Sequence, residues 1–202
     1  MILAVDTSLG SAVAVIDDDG QVVARAESPD ATGHAEVIGD LLTQVVPPDV
    51  TRVVAGMGPG PFTGLRIGIA AARAFATGRG IEVVAIPSHY APALDELDAG
   101  ATDAFAIVTD ARRREAAVTV FEGRDDDGIP RITRDTTLVK QADLETHLEG
   151  IRRVDVTTLD AAALARVGQR AVAAGRTLAG SEPLYLRHPD VAPPSAPKRV
   201  ST

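Results

Sequence analysis

The chain has 202 residues, 45% of them hydrophobic and 24% charged, with a formal net charge of −8 at pH 7. That length suits one large or two small domains, and the acidic balance argues against a chain that grips nucleic acid by itself, because phosphate neutralisation needs basic patches. With no cysteine, the sequence excludes disulfides, thiolate catalysis and cysteine-ligated metal, and with four Phe, two Tyr and no Trp its core must be aliphatic.

In chain order, the opening apolar run Ile2 to Val5 reads as a buried strand that stops at Asp6. It has no basic residue ahead of it, so no signal peptide is expected. No uninterrupted apolar stretch approaches about 18 residues, so neither a membrane span nor a membrane partner is expected, and the expected location is cytoplasmic. Thr7 to Gly10 turn the chain into a second strand, Ser11 to Ile16. Asp17 to Gly20 form a hairpin turn of favoured Asp-Gly chemistry, and Gln21 to Glu27 return as a third strand. Thr32 and Gly33 are cap candidates for a helix from His34, whose Val37, Ile38, Leu41, Leu42 and Val45 share one face and which Pro47 and Pro48 stop. Arg52 to Ala55 is a fourth strand, leading into a glycine-rich stretch and helix from Gly56 to Gly80. Glu82 to Ile86 is a fifth, ended by Pro87. The order βββαβαβ predicts a hairpin-led mixed sheet with covering helices.

The second half starts again. Phe105 to Val108 leads to Asp110 as Ile2 to Val5 leads to Asp6, and Ala116 to Phe121 then precedes a second Asp-Asp-Asp-Gly turn at Asp125 to Gly128. The shared order points to duplication. A third strand at Ile132 to Val139, a helix at Ala142 to Leu148 and an Ala-rich helix from Leu159 to Ala174, ended by Gly175, complete a thinner copy. Pro183 to Arg187 is a short apolar segment, and the four prolines from Pro189 onward predict an extended, mobile tail.

The stretch GMGPGPFTGLRIGIAAARAFATGRG is the most unusual in the chain. Pro61 fits a first helical position with Gly60 before it. Gly60, Gly64, Gly68, Ala72 and Ala76 then recur every four residues along one helix face. An interior Gly costs roughly 1 kcal/mol relative to Ala, so Gly64 and Gly68 need a packing reason. Three readings compete: a core helix tight against its own sheet, a loop and helix N-terminus that hold phosphate, or a smooth face against a partner protein. No Gly-Lys-Ser/Thr completes a P-loop and the spacing misses the dinucleotide fingerprint, so packing ranks ahead of phosphate.

Other chemistry is thin. A repeated strand-Asp-hairpin unit suggests the actin, hexokinase and heat-shock ATPase architecture, in which two hairpin turns face each other across a cleft. In the first turn Asp6, Thr7 and Ser8 have the chemistry of a phosphate or Mg²⁺ loop. The second, Asp110-Ala111-Arg112-Arg113-Arg114, has no glycine to let its amides approach a phosphate. His34, His89, His147 and His188 are scattered and lack ligand spacing, so no metal is expected. Asp95, Glu96 and Asp98 read as an exposed helix face. No catalytic residue is assigned.

The pattern ILAVDTS…SAVAVI, His34 at a helix start, GMGPGPFTGLRIG, Asp110-Ala111-Arg112…Glu115 and the late PLYLR resembles the bacterial TsaB (YeaZ) family over roughly residues 1 to 188. The combination Gly58 to Gly68 is its specific core. The resemblance implies an α/β, actin-like ATPase (ASKHA, ribonuclease H-like) fold of two βββαβα-type subdomains, the second reduced. Residues 1–100 would form the first, 101–188 the second and 189–202 a tail. It further implies a non-catalytic dimerisation subunit that supports a TsaD-like enzyme. With a TsaE-like ATPase, that enzyme moves a threonylcarbamoyl group onto the adenosine beside the tRNA anticodon, and tRNA is reached only through the complex.

On this resemblance the partner surface maps to the two helices His34–Val46 and Phe62–Thr77, with His34, Val37, Ile38, Leu41, Leu42, Phe62, Gly64, Leu65, Gly68, Ile69, Ala72 and Ala76 as its residues. Asp6, Thr7 and Ser8 become a vestigial phosphate loop. No cofactor is held tightly, with ATP or ADP–Mg confined to the assembled complex, and homodimerisation in isolation stays open. Two departures stand out: Pro61 occupies a position where the family usually has Ser, and the region between Leu148 and Leu159 lacks the length for a usual strand. The alternative is an ATP-dependent kinase or ATPase of the same fold working through Asp6 and Thr7. With the glycine stretch read as an assembly surface, the scaffold is the favoured expectation.

Overall fold

The structure is a computed structural model that describes residues 1–29 and 33–187. The cap candidate Thr32, His188 and the proline-rich tail lie outside the described residues. Two sheets carry the fold. The first has the order β3-β2-β1-β4-β5, built from β1 (Ile2–Asp6), β2 (Ser11–Ile16), β3 (Val22–Ser28), β4 (Arg52–Gly56) and β5 (Glu82–Ile86). β1 sits at its centre, antiparallel to β2 and parallel to β4. Both faces are covered, which is why ILAVD is a continuous apolar run and not an alternating one. Ile2 and Ala4 point to one side and Leu3 and Val5 to the other, each into a different core.

The side holding Leu3 and Val5 is covered by α1 (His34–Val45) and α2 (Phe62–Arg79). α2 ends at Gly80, whose φ of 67° takes the left-handed cap that a glycine adopts at no steric cost. Its start differs from the sequence reading: Pro61, with φ −60° and ψ 133°, is the extended residue before the helix, and Phe62 is the first helical one. The opposite side is covered by α5 (Ala161–Ala173), capped by Asp160, whose carboxylate accepts the Ala162 amide at 2.9 Å. α5 comes from the second half of the sequence yet lies on the first sheet. Small residues let it approach: a Cβ on Gly168 would stand 2.4 Å from a Val54 methyl.

The second sheet has the order β8-β7-β6-β9, from β6 (Phe105–Asp110), β7 (Glu115–Arg124), β8 (Pro130–Lys140) and β9 (Arg152–Asp155). Its β6 is again antiparallel to the following hairpin strand and parallel to a later one, repeating the topology of β1. The duplication reaches the turns: Asp17 accepts the amides of Asp19 and Gln21, and Asp125 accepts those of Asp127 and Ile129. α5 holds both turns, through Arg166 and Gln169 on the first (Gly20 O, 2.9 Å; Asp18 O, 2.8 Å) and Arg170 on the second (Gly128 O, 2.6 Å). Two sheets of one topology joined this way form an actin-like fold.

β9 corrects the expectation that the 148–159 region lacks a strand: Arg152 to Asp155 pair with Phe105 to Val108. RRVD offers one apolar residue and takes a sheet edge, so hydrophobicity could not reveal it. The second unit is reduced in another way. It has four strands to the first sheet's five, and its expected helix is a 3₁₀ turn at Gln141–Asp143 followed by the single turn α4 (Leu144–His147). A further helix, α3 (Tyr90–Asp98), follows β5 and extends the order read for the first half. Its buried side packs toward the second sheet, with Tyr90 edge-on to Phe121 at 5.5 Å. Among the described residues, no helix is long and apolar enough to cross a membrane.

Candidate functional site: the cleft and the paired helices

Parallel pairing of β1 with β4 brings the turn after Asp6 against the glycine loop before α2. Asp6 is 2% exposed. Its Oδ1 accepts the Ser8 amide at 2.7 Å and the Ser8 hydroxyl, and its Oδ2 accepts the Ser88 hydroxyl, which in turn accepts the Gly58 amide at 2.9 Å. Burial pushes the Asp6 carboxyl above its ordinary range, against the opposing pull of the Ser8 and Ser88 bonds. Gly56 is obligatory beside it, since a Cβ there would lie 1.7 Å from Oδ2. Thr7 and Ser8 are also buried, and the Thr7 hydroxyl donates to Gly64 O at 2.7 Å. Both Asp6 oxygens and both hydroxyls are thus engaged inside the protein.

α2 explains its own small-residue stripe. A Cβ on Gly68 would meet Thr7 Oγ1 at 2.2 Å, and one on Gly64 would meet His34 Nε2 at 2.8 Å and Thr7 O at 2.9 Å. Gly64, Leu65, Gly68, Ile69, Ala72 and Ala76 all face the sheet, as do His34, Ile38 and Leu41 on α1. Of the residues assigned to the partner surface, Val37 and Leu42 are half-buried and Phe62 is exposed. Ile67, Ala71 and Phe75 join them as half-buried apolar residues, with Ala70 and Ala74 exposed between. Sequence spacing found the stripe but not the direction it faces, which is set by the strand order beneath it.

Across from this turn stands the β6–β7 connection. Arg112, Arg113 and Arg114 have φ of 61°, 53° and 61°, a left-handed run that costs about 1–3 kcal/mol per non-glycine residue. It is held by Ala111 N to Glu115 O and Glu115 N to Arg112 O, both 3.0 Å, and by the Asp110 carboxylate accepting the Arg112 amide at 3.2 Å. The segment 181–187 spans from one unit to the other. Arg73 donates to Ser181 O, Leu184 N to Met57 O at 2.7 Å, Tyr185 stacks on Phe62 at 4.7 Å, and Arg187 pairs with Glu115. Between these walls lies a cleft of about 480 Å³, lined by the start of α2, the arginine turn and this segment.

His34 and His89 carry roles that sequence spacing could not assign. His34, 3% exposed, bonds Ser11 Oγ through Nδ1 at 2.7 Å. His89, just before α3, bonds Thr119 Oγ1 at 2.7 Å and Thr109 Oγ1 at 3.0 Å, tying the first unit to the second sheet. Burial lowers its pKa to about 3, so it is neutral. Among the described residues, no three His, Asp or Glu side chains converge as a metal site would require.

Fold and cleft together define a two-lobed actin-like protein whose first hairpin turn is closed and whose first lobe presents paired helices. A sequence model of the family described as TsaD: tRNA N6-adenosine threonylcarbamoyltransferase matches residues 34–132. An uncharacterised protein of Mycobacterium tuberculosis is 38% identical over 136 residues, 63% of this chain and 60% of its own length. One of Mycobacterium leprae is 33% identical over 139 residues, 64% of this chain and 36% of its own length. The matches thus span less than two thirds of these relatives. Among solved structures, YeaZ from Pseudomonas aeruginosa superposes with a TM-score of 0.73 at 22% identity, covering 92% of this chain and 99% of that one. The chain therefore has the YeaZ (TsaB) fold, as the resemblance implies.

Proposed function

We propose that this chain is a non-catalytic assembly subunit that binds a TsaD-like partner through the outer faces of α1 and α2 and supports threonylcarbamoyl transfer to the adenosine beside the tRNA anticodon. The observation that carries the reading is the pairing of a closed first turn with an apolar two-helix face. Asp6, Thr7 and Ser8 spend their polar atoms on the protein itself. Val37, Leu42, Ile67, Ala71 and Phe75 stay partly open to solvent. The TsaD-family match begins at the first residue of α1 and includes all of α2, and the YeaZ fold supports the same reading. A TsaE-like ATPase and tRNA enter only through the assembled complex.

Depleting the protein tests the role. Threonylcarbamoyladenosine in total tRNA, measured by mass spectrometry, is expected to fall and to recover on re-expression. A level unchanged by depletion contradicts the proposal. The kinase reading requires micromolar ATP–Mg²⁺ binding that Asp6→Ala abolishes, and the engaged Asp6 carboxylate argues against it.

A further inference from the structure

We infer that the cleft between the two units binds a small organic oxyanion, its phosphate or carboxylate held between the first turn of α2, His34 Nε2 and the arginine turn. This goes beyond the partner-binding role and does not depend on it. Three observations converge. First, α2 is an 18-residue helix whose N-terminus receives no side-chain cap, and its first residues, Phe62, Thr63 and Gly64, line the cleft. First-turn amides have no intrahelical acceptor and, with the helix dipole, favour an anion.

Second, His34 is 3% exposed and lines the same cleft, and its Nε2 has no hydrogen-bond partner among the described residues. That nitrogen lies against Gly64, next to the open amides. The Ser11 hydroxyl engages Nδ1 and leaves Nε2 as the ring atom open to a ligand, a donor in the tautomer in which Ser11 donates to Nδ1. A buried polar atom without a partner is costly, and native proteins rarely keep one that nothing uses.

Third, the facing wall is cationic. Arg112 and Arg113 line the cleft from the left-handed turn, and Arg187 enters beside them, paired with Glu115. Asp110 also lines it, with its carboxylate turned to the Arg112 amide. Leu9, Phe62, Leu138 and the Tyr185 ring add apolar surface to the lining, so the ligand carries a short apolar body behind its anionic group. A volume of about 480 Å³ matches a small-molecule site. The anion position lies at the helix start and not in the Asp6 turn, whose polar atoms are already engaged.

The test uses the full chain, ¹⁵N-labelled and titrated with inorganic phosphate, acetate and chloride at matched ionic strength. Phosphate or acetate is expected to shift the Thr63 and Gly64 amides and the His34 ring nitrogens saturably, with chloride doing neither. Response to phosphate alone assigns a phosphate ester as the natural class, and response to acetate alone assigns a carboxylate. His34→Gln and Arg112→Gln should each weaken the binding roughly tenfold. Should His34→Gln lose its dispersed spectrum, Arg112→Gln, on an exposed turn, decides. No saturable shift at tens of millimolar anion, or shifts that both folded variants leave unchanged, overturns the inference. Neither outcome bears on partner binding, which threonylcarbamoyladenosine levels read separately.

Discussion

Gly68→Ala and Gly78→Ala make the same chemical change on the same helix, and the structure predicts opposite signs for them. Gly78 has nothing within 4 Å of an added Cβ, so only backbone entropy responds and stability rises by up to about 1 kcal/mol. At Gly68 the new methyl would stand 2.2 Å from Thr7 Oγ1 and 2.8 Å from Thr7 Cγ2. Thr7 cannot swing aside cheaply, being 1% exposed and bonded to Gly64 O. Overpacking costs about 1–3 kcal/mol, and loss of the Thr7 hydrogen bond adds about 1 kcal/mol. Against the same propensity gain of about 1 kcal/mol, the net is a destabilisation of roughly 1–3 kcal/mol. Urea unfolding followed by circular dichroism reads both variants. Thr7→Ala removes the two closest atoms, so Thr7→Ala/Gly68→Ala should show a favourable coupling of about 1–2 kcal/mol. A Gly68→Ala protein as stable as Gly78→Ala refutes the inward orientation of the stripe. Gly68→Leu is therefore a test of this chain's own packing and not of a partner contact.

His89 has a folded pKa of about 3 against an ordinary 6.5, so its stability contribution is complete above pH 6.5 and is lost as pH falls toward 3. By pH 5 the loss is about 2 kcal/mol, and His89→Gln should flatten the dependence of the urea midpoint between pH 6.5 and 5. An unflattened slope contradicts the buried neutral ring. Gly56→Ala should prevent folding or cost more than about 4 kcal/mol, because its methyl would overlap the Asp6 carboxylate; a soluble variant with unchanged midpoint counts against the Asp6–Ser8–Ser88 arrangement. Tyr185→Ala removes the stack on Phe62 and should speed hydrogen exchange at the Leu184 amide, which bonds Met57 O; unchanged exchange would show that the segment is anchored elsewhere.

Much of this fold is legible in the sequence because its central strands are continuous apolar runs ended by Asp6 and Asp110, and because the Asp-Asp-Asp-Gly turns mark the repeat. β9 is not legible, since an edge strand of RRVD buries too little to leave a pattern. The candidate site is legible only in part. Gly64 and Gly68 announce a close approach, but whether the approaching atoms belong to Thr7 or to another protein depends on β1 lying between β2 and β4. The same topology sets His34 against Gly64 and engages Asp6 through Ser88, which lies 82 residues away in sequence. No local spacing encodes contacts of that range.

The role proposed for the outer face of α1 and α2 is assembly with a TsaD-like partner. It is tested most directly by titrating this chain against a TsaD-family subunit from the same cell, with sedimentation velocity as the readout. Ala70→Arg/Ala74→Arg places two charges on exposed positions of that face and should leave the unfolding midpoint within about 0.5 kcal/mol of the parent. The unmodified chain is predicted to form a heteromeric complex and the substituted chain to lose it. A complex that persists undiminished with both arginines in place, or no complex with the unmodified chain, contradicts the claim.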